Sequence, residues 1–375
     1  MFLLTAVYMC PCVDDGRPTM LSRVASDAIL DAAYAWLRKR RRDYPADADV
    51  WSFRRYWPAE KRRIQADLHA GVFRFGLLDR VTLKDGSDID LWTARDALVL
   101  KALTIVLSDI LPVSPRCTHI KGHGGAKAAV REVMAALSGN RFVMRTDVKS
   151  YYASIGHVAL MDRLACHIND RDILNLLGQY MRRTAERGGC FHDHERGISL
   201  GCPLSPLMGA FFLHELDQRM ERTRLFHVRF MDDILVLAPT RWTLRRGIKA
   251  VNEVLGSLRL EKHPDKTFIG RIERGFDFLG YHFSRDGLKV AKATIQRFVE
   301  RAARLYEHER KGAGAPDALG MYVRRWVSWT RAGLGVDRGK CKTATQLDRR
   351  FAGRLESRDV RLQPSVSCAS RLSPT

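Results

Sequence analysis

Phe226-His227-Val228-Arg229-Phe230-Met231-Asp232-Asp233-Ile234-Leu235-Val236-Leu237-Ala238 is the stretch from which the fold of this chain can be read. Two apolar, β-branched-rich runs flank a pair of adjacent carboxylates, and runs of this length predict two short strands. The second run is almost continuously apolar, which predicts a strand buried on both faces. Neighbouring side chains on a straight strand point to opposite faces, so the two aspartates converge only if they sit at the turn of a hairpin. Two like charges held together there are costly unless a cation neutralises them. The chemistry that uses such a pair is a divalent-metal site with oxygen ligands, where Mg²⁺ keeps several waters and binds substrate phosphates. Read alone, the pair is equally a solvated turn with two acids. Its companions along the chain decide.

Upstream, Arg141–Val148 reads as a strand ending at Asp147, with Tyr151 and Tyr152 just beyond it. Residues 158–183 read as one helical segment leading to a glycine turn at Gly188-Gly189. Next comes Gly197-Xaa-Xaa-Xaa-Gly201-Xaa-Pro203-Xaa-Ser205-Pro206, where Ser205 before Pro206 predicts a helix cap followed by a first-turn proline. Downstream, Trp242–Leu258 reads as a helix, Pro264-Asp265-Lys266-Thr267 as the start of a strand, and Phe276–Phe283 as a tight aromatic hairpin. A helix over Ala293–Lys311 gathers Ile295, Phe298, Val299, Ala302, Leu305 and Tyr306 on one side. Arg297, Arg301 and Arg304 share another side, a stripe that suits a duplex backbone. A second such helix carries Leu319, Val323, Trp326 and Val327.

Toward the N-terminus, residues 1–19 read as poorly connected to the rest, and Met20 is as good a start as Met1. Ser26 is expected to cap a helix over Asp27–Arg42, whose last five residues, Arg38-Lys39-Arg40-Arg41-Arg42, suit both a helix end and a phosphate backbone. Residues 71–92 read as an antiparallel hairpin turning at Asp85-Gly86, and a helix over 93–111 carries Arg95, Asp96 and Lys101. The run His119-Ile-Lys121-Gly122-His123-Gly124-Gly125-Ala-Lys127 reads as a basic turn opening a helix over 126–137, its lysines placed for phosphate or sugar contact. Cys117, His119 and His123, and likewise Cys190, His192 and His194, lack zinc spacing and read as loop residues near a nucleic acid.

The chain has 375 residues, long enough for two or three subdomains, and 63 Lys+Arg against 42 Asp+Glu give a formal charge of +21. That excess is spread along the whole length, which points to an extended polyanion such as nucleic acid. No apolar run reaches the ~18 residues of a membrane span. The apolar opening Met1–Cys12 lacks the positive region of a signal peptide. Eight cysteines without a CxxC pair do not predict a disulfide framework. From about Gln363 the Ser/Pro-rich tail is expected to be disordered.

The ordered set of Asp147 with Tyr152 five residues on, Gly197 to Pro206, Phe230-Met231-Asp232-Asp233, Pro264 to Thr267 and Phe278-Leu279-Gly280 resembles the reverse transcriptases. Within them it looks like the bacterial lineage of group II intron-encoded enzymes and their domesticated relatives, over about residues 50–335. The resemblance implies an α+β right-hand polymerase: an extension over 1–49, fingers 50–140, palm 141–285, helical thumb 286–350 and a tail 351–375. It implies that Asp147, Asp232 and the Val148 carbonyl, with Asp233 assisting, hold two Mg²⁺ ions, Mn²⁺ being an alternative. Lys266 matches the lysine that protonates pyrophosphate. Tyr152 matches the aromatic residue that packs under the sugar and leaves no room for a 2′-hydroxyl. Pro203 and Ser205 are expected by the incoming base pair, Arg95 and Lys101 on triphosphate or template, and Phe278, Leu279, Gly280 and Tyr281 at the primer end. Lys121, Lys127, Arg297, Arg301 and Arg304 are expected on the nucleic-acid backbone.

The implied partners are an RNA template, a DNA or RNA primer and deoxynucleoside triphosphates, with a dedicated non-coding RNA as a further candidate. The implied place is the bacterial cytoplasm, and the implied role phage defence, DNA repair or an intron-derived element. Two departures from the family pattern stand out. Phe230 replaces the usual tyrosine of the aspartate turn, and Asp85, Asp88 and Asp90 occupy a hairpin that is usually basic. The His and Cys pairs of an endonuclease module are absent after residue 340, so none is expected from that stretch. A competing reading is a non-catalytic, maturase-like RNA-binding protein that kept the polymerase fold; the intact aspartates argue against it. An RNA-dependent RNA polymerase is disfavoured by Tyr152 and by the lack of glycine before the Asp pair.

Overall fold

A computed structural model describes residues 19–82, 88–312 and 317–334. Most of the poorly connected opening stretch, the Asp85-Gly86 turn, the end of the expected thumb and the expected tail fall outside them. The chain divides into two compact units, Met1–Ala129 with Ala136–Ile272 and Val130–Ala135 with Glu273–Thr375. Among the described residues no helix is long and apolar enough to cross a membrane.

The first unit opens with four helices, α1 (Met20–Val24), α2 (Asp27–Arg40), α3 (Asp49–Arg55) and α4 (Trp57–His69). The helix expected over 27–42 stops at Arg40, because Arg41 turns inward. Its guanidinium donates to the Trp92 carbonyl at 2.6 Å and pairs with Asp49 at 3.2 Å, so it is no backbone-phosphate contact. Strands β1 (Leu78–Thr82) and β2 (Asp88–Leu91) form the expected hairpin, with residues 72–77 outside it. Helix α5 (Ala94–Ser108) is capped by Thr93, and α6 (Gly125–Ala136) follows the glycine-rich turn.

After β3 (Phe142–Thr146) and the short α7 (Tyr151–Ser154), the segment expected as one helix is two, α8 (His157–Ala165) and α9 (Arg171–Met181). The Asp170 carboxylate accepts from the Asp172 and Ile173 amides and starts α9 afresh. Strands β4 (Thr184–Arg187) and β5 (Cys190–Asp193) close at Gly188-Gly189 and extend the first hairpin into a sheet of order β2-β1-β4-β5. Helix α10 (Ser205–Phe212) begins at Ser205, but Ser205 is not its cap. Its hydroxyl donates to the Ser199 carbonyl at 2.5 Å and contacts the Tyr180 hydroxyl at 2.7 Å, wholly buried.

Helix α11 (His214–Thr223) leads to β6 (Phe226–Phe230) and β7 (Asp233–Ala238), then α12 (Arg241–Ser257) and β8 (Phe268–Arg271). These strands form an antiparallel sheet of order β6-β7-β3-β8. Strand β7 lies inside this sheet, and Ile234–Ala238 are all buried, which is why its sequence is apolar at every position instead of alternating.

The second unit holds β9 (Phe276–Phe278), β10 (Tyr281–Ser284), β11 (Gly287–Val290), α13 (Lys292–Arg310) and α14 (Ala318–Leu334). The aromatic hairpin thus gains a third strand, β11, absent from the sequence reading. Phe298 stacks on Trp326 at 4.1 Å and on Tyr322 at 5.4 Å, joining the two helices.

Candidate active site

The register of the central sheet assembles the acids. Thr146 at the end of β3 faces Ile234 of β7, so the next residue, Asp147, arrives beside the β6–β7 turn. That turn has two residues, Met231 and Asp232, between the paired Phe230 and Asp233. Met231 has φ +57, in a turn position that favours glycine. Two buried side chains hold it there. The Met231 amide donates to His119 Nδ1 at 3.0 Å, and its carbonyl accepts from Arg229 at 2.9 Å.

His119 Nε2 donates to the Pro206 carbonyl at 3.0 Å, so one neutral imidazole ties the turn to the start of α10. Burial pushes its pKa down to about 4, which keeps it neutral. Arg229 is 1% exposed and forks onto Asp217 at 3.0 and 2.5 Å. Burial opposes its charge, but Asp217 outweighs burial and holds it protonated. Neither residue was found from the sequence, because their partners lie 112 and 12 residues away and leave no local pattern.

Burial, together with the neighbouring Asp147 carboxylate, pushes Asp232 up to about 6. Lys266 donates to Asp147 at 2.7 Å, and that bond raises the lysine's own pKa. Asp233 is the first residue of β7, and its carboxylate is 4.0 Å from Arg145. Among the described residues no three His, Cys, Asp or Glu side chains converge as metal ligands, so the acids form a pair with a neighbour. Val148 lies opposite Lys262, in a bridge whose hydrogen bonds come from Asp147 and Lys149 on either side. Its own carbonyl therefore points away from that bridge. Two neighbouring carboxylates, beside a carbonyl turned away from the Lys262 bridge, make an all-oxygen donor set that fits Mg²⁺ or Mn²⁺.

Asp232 opens onto a cleft of about 630 Å³ lined by Tyr152, Arg80, Arg183, His194, Arg196 and Leu200 among others. Tyr151 and Tyr152 divide between core and cleft. The Tyr151 hydroxyl donates to the Gly209 carbonyl at 2.6 Å inside the core, whereas Tyr152 is half-buried on the cleft. The loop from Gly197 is bound to this wall: Gly197 and Ile198 donate to the Ile155 and Tyr152 carbonyls, both at 2.8 Å. A Cβ on Gly197, at φ +83, would lie 2.8 Å from the Ala153 Cα, so only glycine fits.

The cations of the cleft are not those expected. Arg95 pairs with Asp67 at 2.8 Å over the Phe73 ring, and Lys101 lies half-buried over Trp36, its charge disfavoured by burial. Neither lines the cleft. Arg80, Arg183 and His194 do, and all three gather on Asp90 at 2.9, 3.9 and 3.0 Å. Asp90 of the acidic hairpin is therefore neutralised within the protein. The sequence signal was available in Arg80 two residues into β1, but its partner His194 lies 114 residues on. Ser205 faces the core and Pro203 is half-buried beside it.

His119 and His123 bond to main-chain atoms, which accounts for that loop without a metal. Lys121 is exposed; Lys127 is half-buried, and burial pushes it down to about 8. In the second unit Phe278 and Tyr281 are core residues, with the Tyr281 hydroxyl on the Trp329 carbonyl at 2.9 Å; the Leu279-Gly280 turn lies between them. Arg297, Arg301 and Arg304 are exposed on α13, as expected.

Comparison with known proteins agrees with this geometry. Residues 94–283 match the family model described as reverse transcriptase (RNA-dependent DNA polymerase). Protein YkfC of Escherichia coli K12 is 24% identical over 248 residues, covering 54% of this chain and 64% of YkfC. The group II intron-encoded protein LtrA of Lactococcus lactis subsp. cremoris is 27% identical over 128 residues, covering 34% of this chain and 21% of LtrA. The chain thus spans under two thirds of either curated relative. A chain of a solved partial Cas6-RT-Cas1–Cas2 complex aligns with a TM-score of 0.40 and 18% identity, over 64% of this chain and 42% of that one. The family match covers just over half of the sequence and both aspartate motifs, and the chain belongs to the reverse transcriptase family.

Proposed function

We propose that this chain extends a primer with deoxynucleotides on an RNA template. The observation that carries this reading is the strand register that brings Asp147 beside Asp232, at a cleft walled by Tyr152 and arginines. Asp147, Asp232 and the Val148 carbonyl, with Asp233 assisting, would hold two divalent ions, which supply activation of the primer 3′-hydroxyl and neutralisation of the triphosphate.

The protein's own groups do the rest. Lys266 is half-exposed and protonated, positioned to give a proton to the departing pyrophosphate oxygen. Arg80, Arg183 and Arg196 would provide the positive wall for the triphosphate, because they line the cleft and Arg95 and Lys101 do not. Tyr152 lies where the sugar would rest. In this reading residues 50–140 are fingers, 141–285 palm and 286–350 thumb. The Leu279-Gly280 turn would meet the primer end, with Phe278 and Tyr281 supporting it. Lys121, Lys127 and the α13 arginines would follow the backbone.

The test is Asp232→Ala on a poly(rA)–oligo(dT) substrate with Mg²⁺. Extension should vanish while the variant keeps its thermal transition and its affinity for the substrate. Undiminished extension would remove the carboxylate pair from the mechanism.

A further inference from the structure

Helix α10 carries a glycine in its interior, Gly209, where alanine is intrinsically the better helix former. Something therefore favours the missing methyl. Outside the helix's own backbone, the nearest atoms to a Cβ built on Gly209 are Tyr152 Cε1 at 2.9 Å, Tyr151 Cε1 at 3.2 Å and Tyr152 Cδ1 at 3.7 Å. The methyl group that glycine lacks would press first on the two tyrosine rings.

The two rings are not equally able to yield. Tyr151 is buried and fastened by its hydroxyl to the Gly209 carbonyl at 2.6 Å. Tyr152 has no such tether: its hydroxyl is buried without a hydrogen-bond partner among the described residues. One flank of its ring borders the cleft onto which Asp232 opens. A methyl group at 209 could be relieved in one direction, by moving the Tyr152 ring toward the cleft.

We infer that Gly209 is a positioning residue for sugar selection: it sets the depth at which the Tyr152 ring lies, and so the room left at the 2′ carbon of the incoming nucleotide. This rests on the reading of Tyr152 as the wall beneath the sugar. A ring seated lower than a side-chain-bearing helix would allow gives a 2′-deoxyribose its full space. A ring raised by a fraction of an ångström penalises even a small 2′ substituent.

The measurement is kcat/KM for a deoxynucleotide and for its 2′-fluoro analogue, whose substituent is smaller than a hydroxyl. Four proteins are compared: the parent, Gly209→Ala, Tyr152→Ala and the double variant, each checked by its thermal transition. Gly209→Ala should lower the 2′-fluoro-to-deoxy ratio by roughly three- to tenfold, the order expected for a contact of one methyl group. In the Tyr152→Ala background the same change should leave the ratio alone.

A folded Gly209→Ala protein with the parental ratio overturns the inference, as does an equal shift in both backgrounds. If Tyr152→Ala does not itself raise the ratio, the sugar-wall reading falls and takes this inference with it. If Tyr152→Ala raises it and Gly209→Ala does nothing, only the inference falls. Should Gly209→Ala fail to fold while the double variant folds, the steric contact with the Tyr152 ring is upheld. Failure of both means the methyl is rejected for another reason, against the inference.

Discussion

At the Met231-Asp232 turn the charged side chains find their partners inside the protein: Arg229 with Asp217, and Lys266 with Asp147. On the outer side of α13, Arg297, Arg301 and Arg304 are exposed, and no carboxylate among the described residues pairs with them. The contacts they do make are modest. Arg297 and Arg304 reach carbonyls one turn back, and Arg301 lies over the Tyr322 ring at 5.4 Å. The same residue type thus serves two ends. Inside the turn a guanidinium is a structural fork whose value lies in fixed geometry. On α13 it is exposed charge with no carboxylate partner among the described residues. The first use should break all at once and ignore salt; the second should weaken by degrees and depend on salt.

The sharpest way to break the first half of that contrast is Arg229→Ala. It leaves the Asp217 carboxylate buried without a partner and deprives the Met231 and Ala210 carbonyls of their donor. Removing one member of such a pair costs about 3–5 kcal/mol. Urea unfolding should show that loss, and extension should disappear with it. Replacing both members, Arg229→Met with Asp217→Leu, should return much of the stability. It should not return activity, because Met231 at φ +57 would still lack its carbonyl clamp. Recovery of activity in the double variant would show that the pair serves only to fill the core.

These residues also mark where the sequence stopped being legible. The β6–β7 hairpin and the strand ending at Asp147 were readable, because periodicity and spacing are local properties of the chain. The helices over 158–183 merged in the reading, since Asp170, the cap that separates them, sits in a run that is helical on both sides. Ser205 before Pro206 looked like a cap, yet its hydroxyl is taken by Ser199 and Tyr180, which no nearby residue announces. Arg95 and Lys101 looked like free cations on a helix; only the fold brings Asp67 and Trp36 to them. Where a motif lies in the fold was visible, and what holds the motif in place was not.

Lys266 tests the middle ground, since it is bonded within the turn region but is 51% exposed. Its ion pair with Asp147 should contribute little to stability at that exposure. Lys266→Met should therefore leave the thermal transition where it is. If the lysine gives its proton to pyrophosphate, kcat should fall roughly 100-fold, within the usual range for a general acid. KM for the nucleotide should change little. A solvent isotope effect on kcat that is present in the parent and lost in the variant would tie the defect to proton transfer. A large fall in the transition temperature with kcat unchanged would return Lys266 to a purely structural place beside Asp147.

The smallest single effects are expected on α13, and there the salt dependence carries the information. Each phosphate contacted by a cation releases condensed counterions, adding about 0.9 to the slope of log affinity against log salt on a DNA duplex. Gln keeps the helix and much of the side-chain length while removing the charge. Each of Arg297→Gln, Arg301→Gln and Arg304→Gln should thus weaken duplex binding slightly, with the triple variant flattening the slope by up to about 2.7 if all three meet phosphates. The loss should be the same on unrelated sequences, since backbone contacts carry no base information. Arg301 is the informative member: if its place over Tyr322 is its whole purpose, Arg301→Gln will alter thermal stability and leave the slope intact. Three slopes that all match the parent's would make the stripe an ordinary solvated face. The contrast with the aspartate turn would then be one of burial alone.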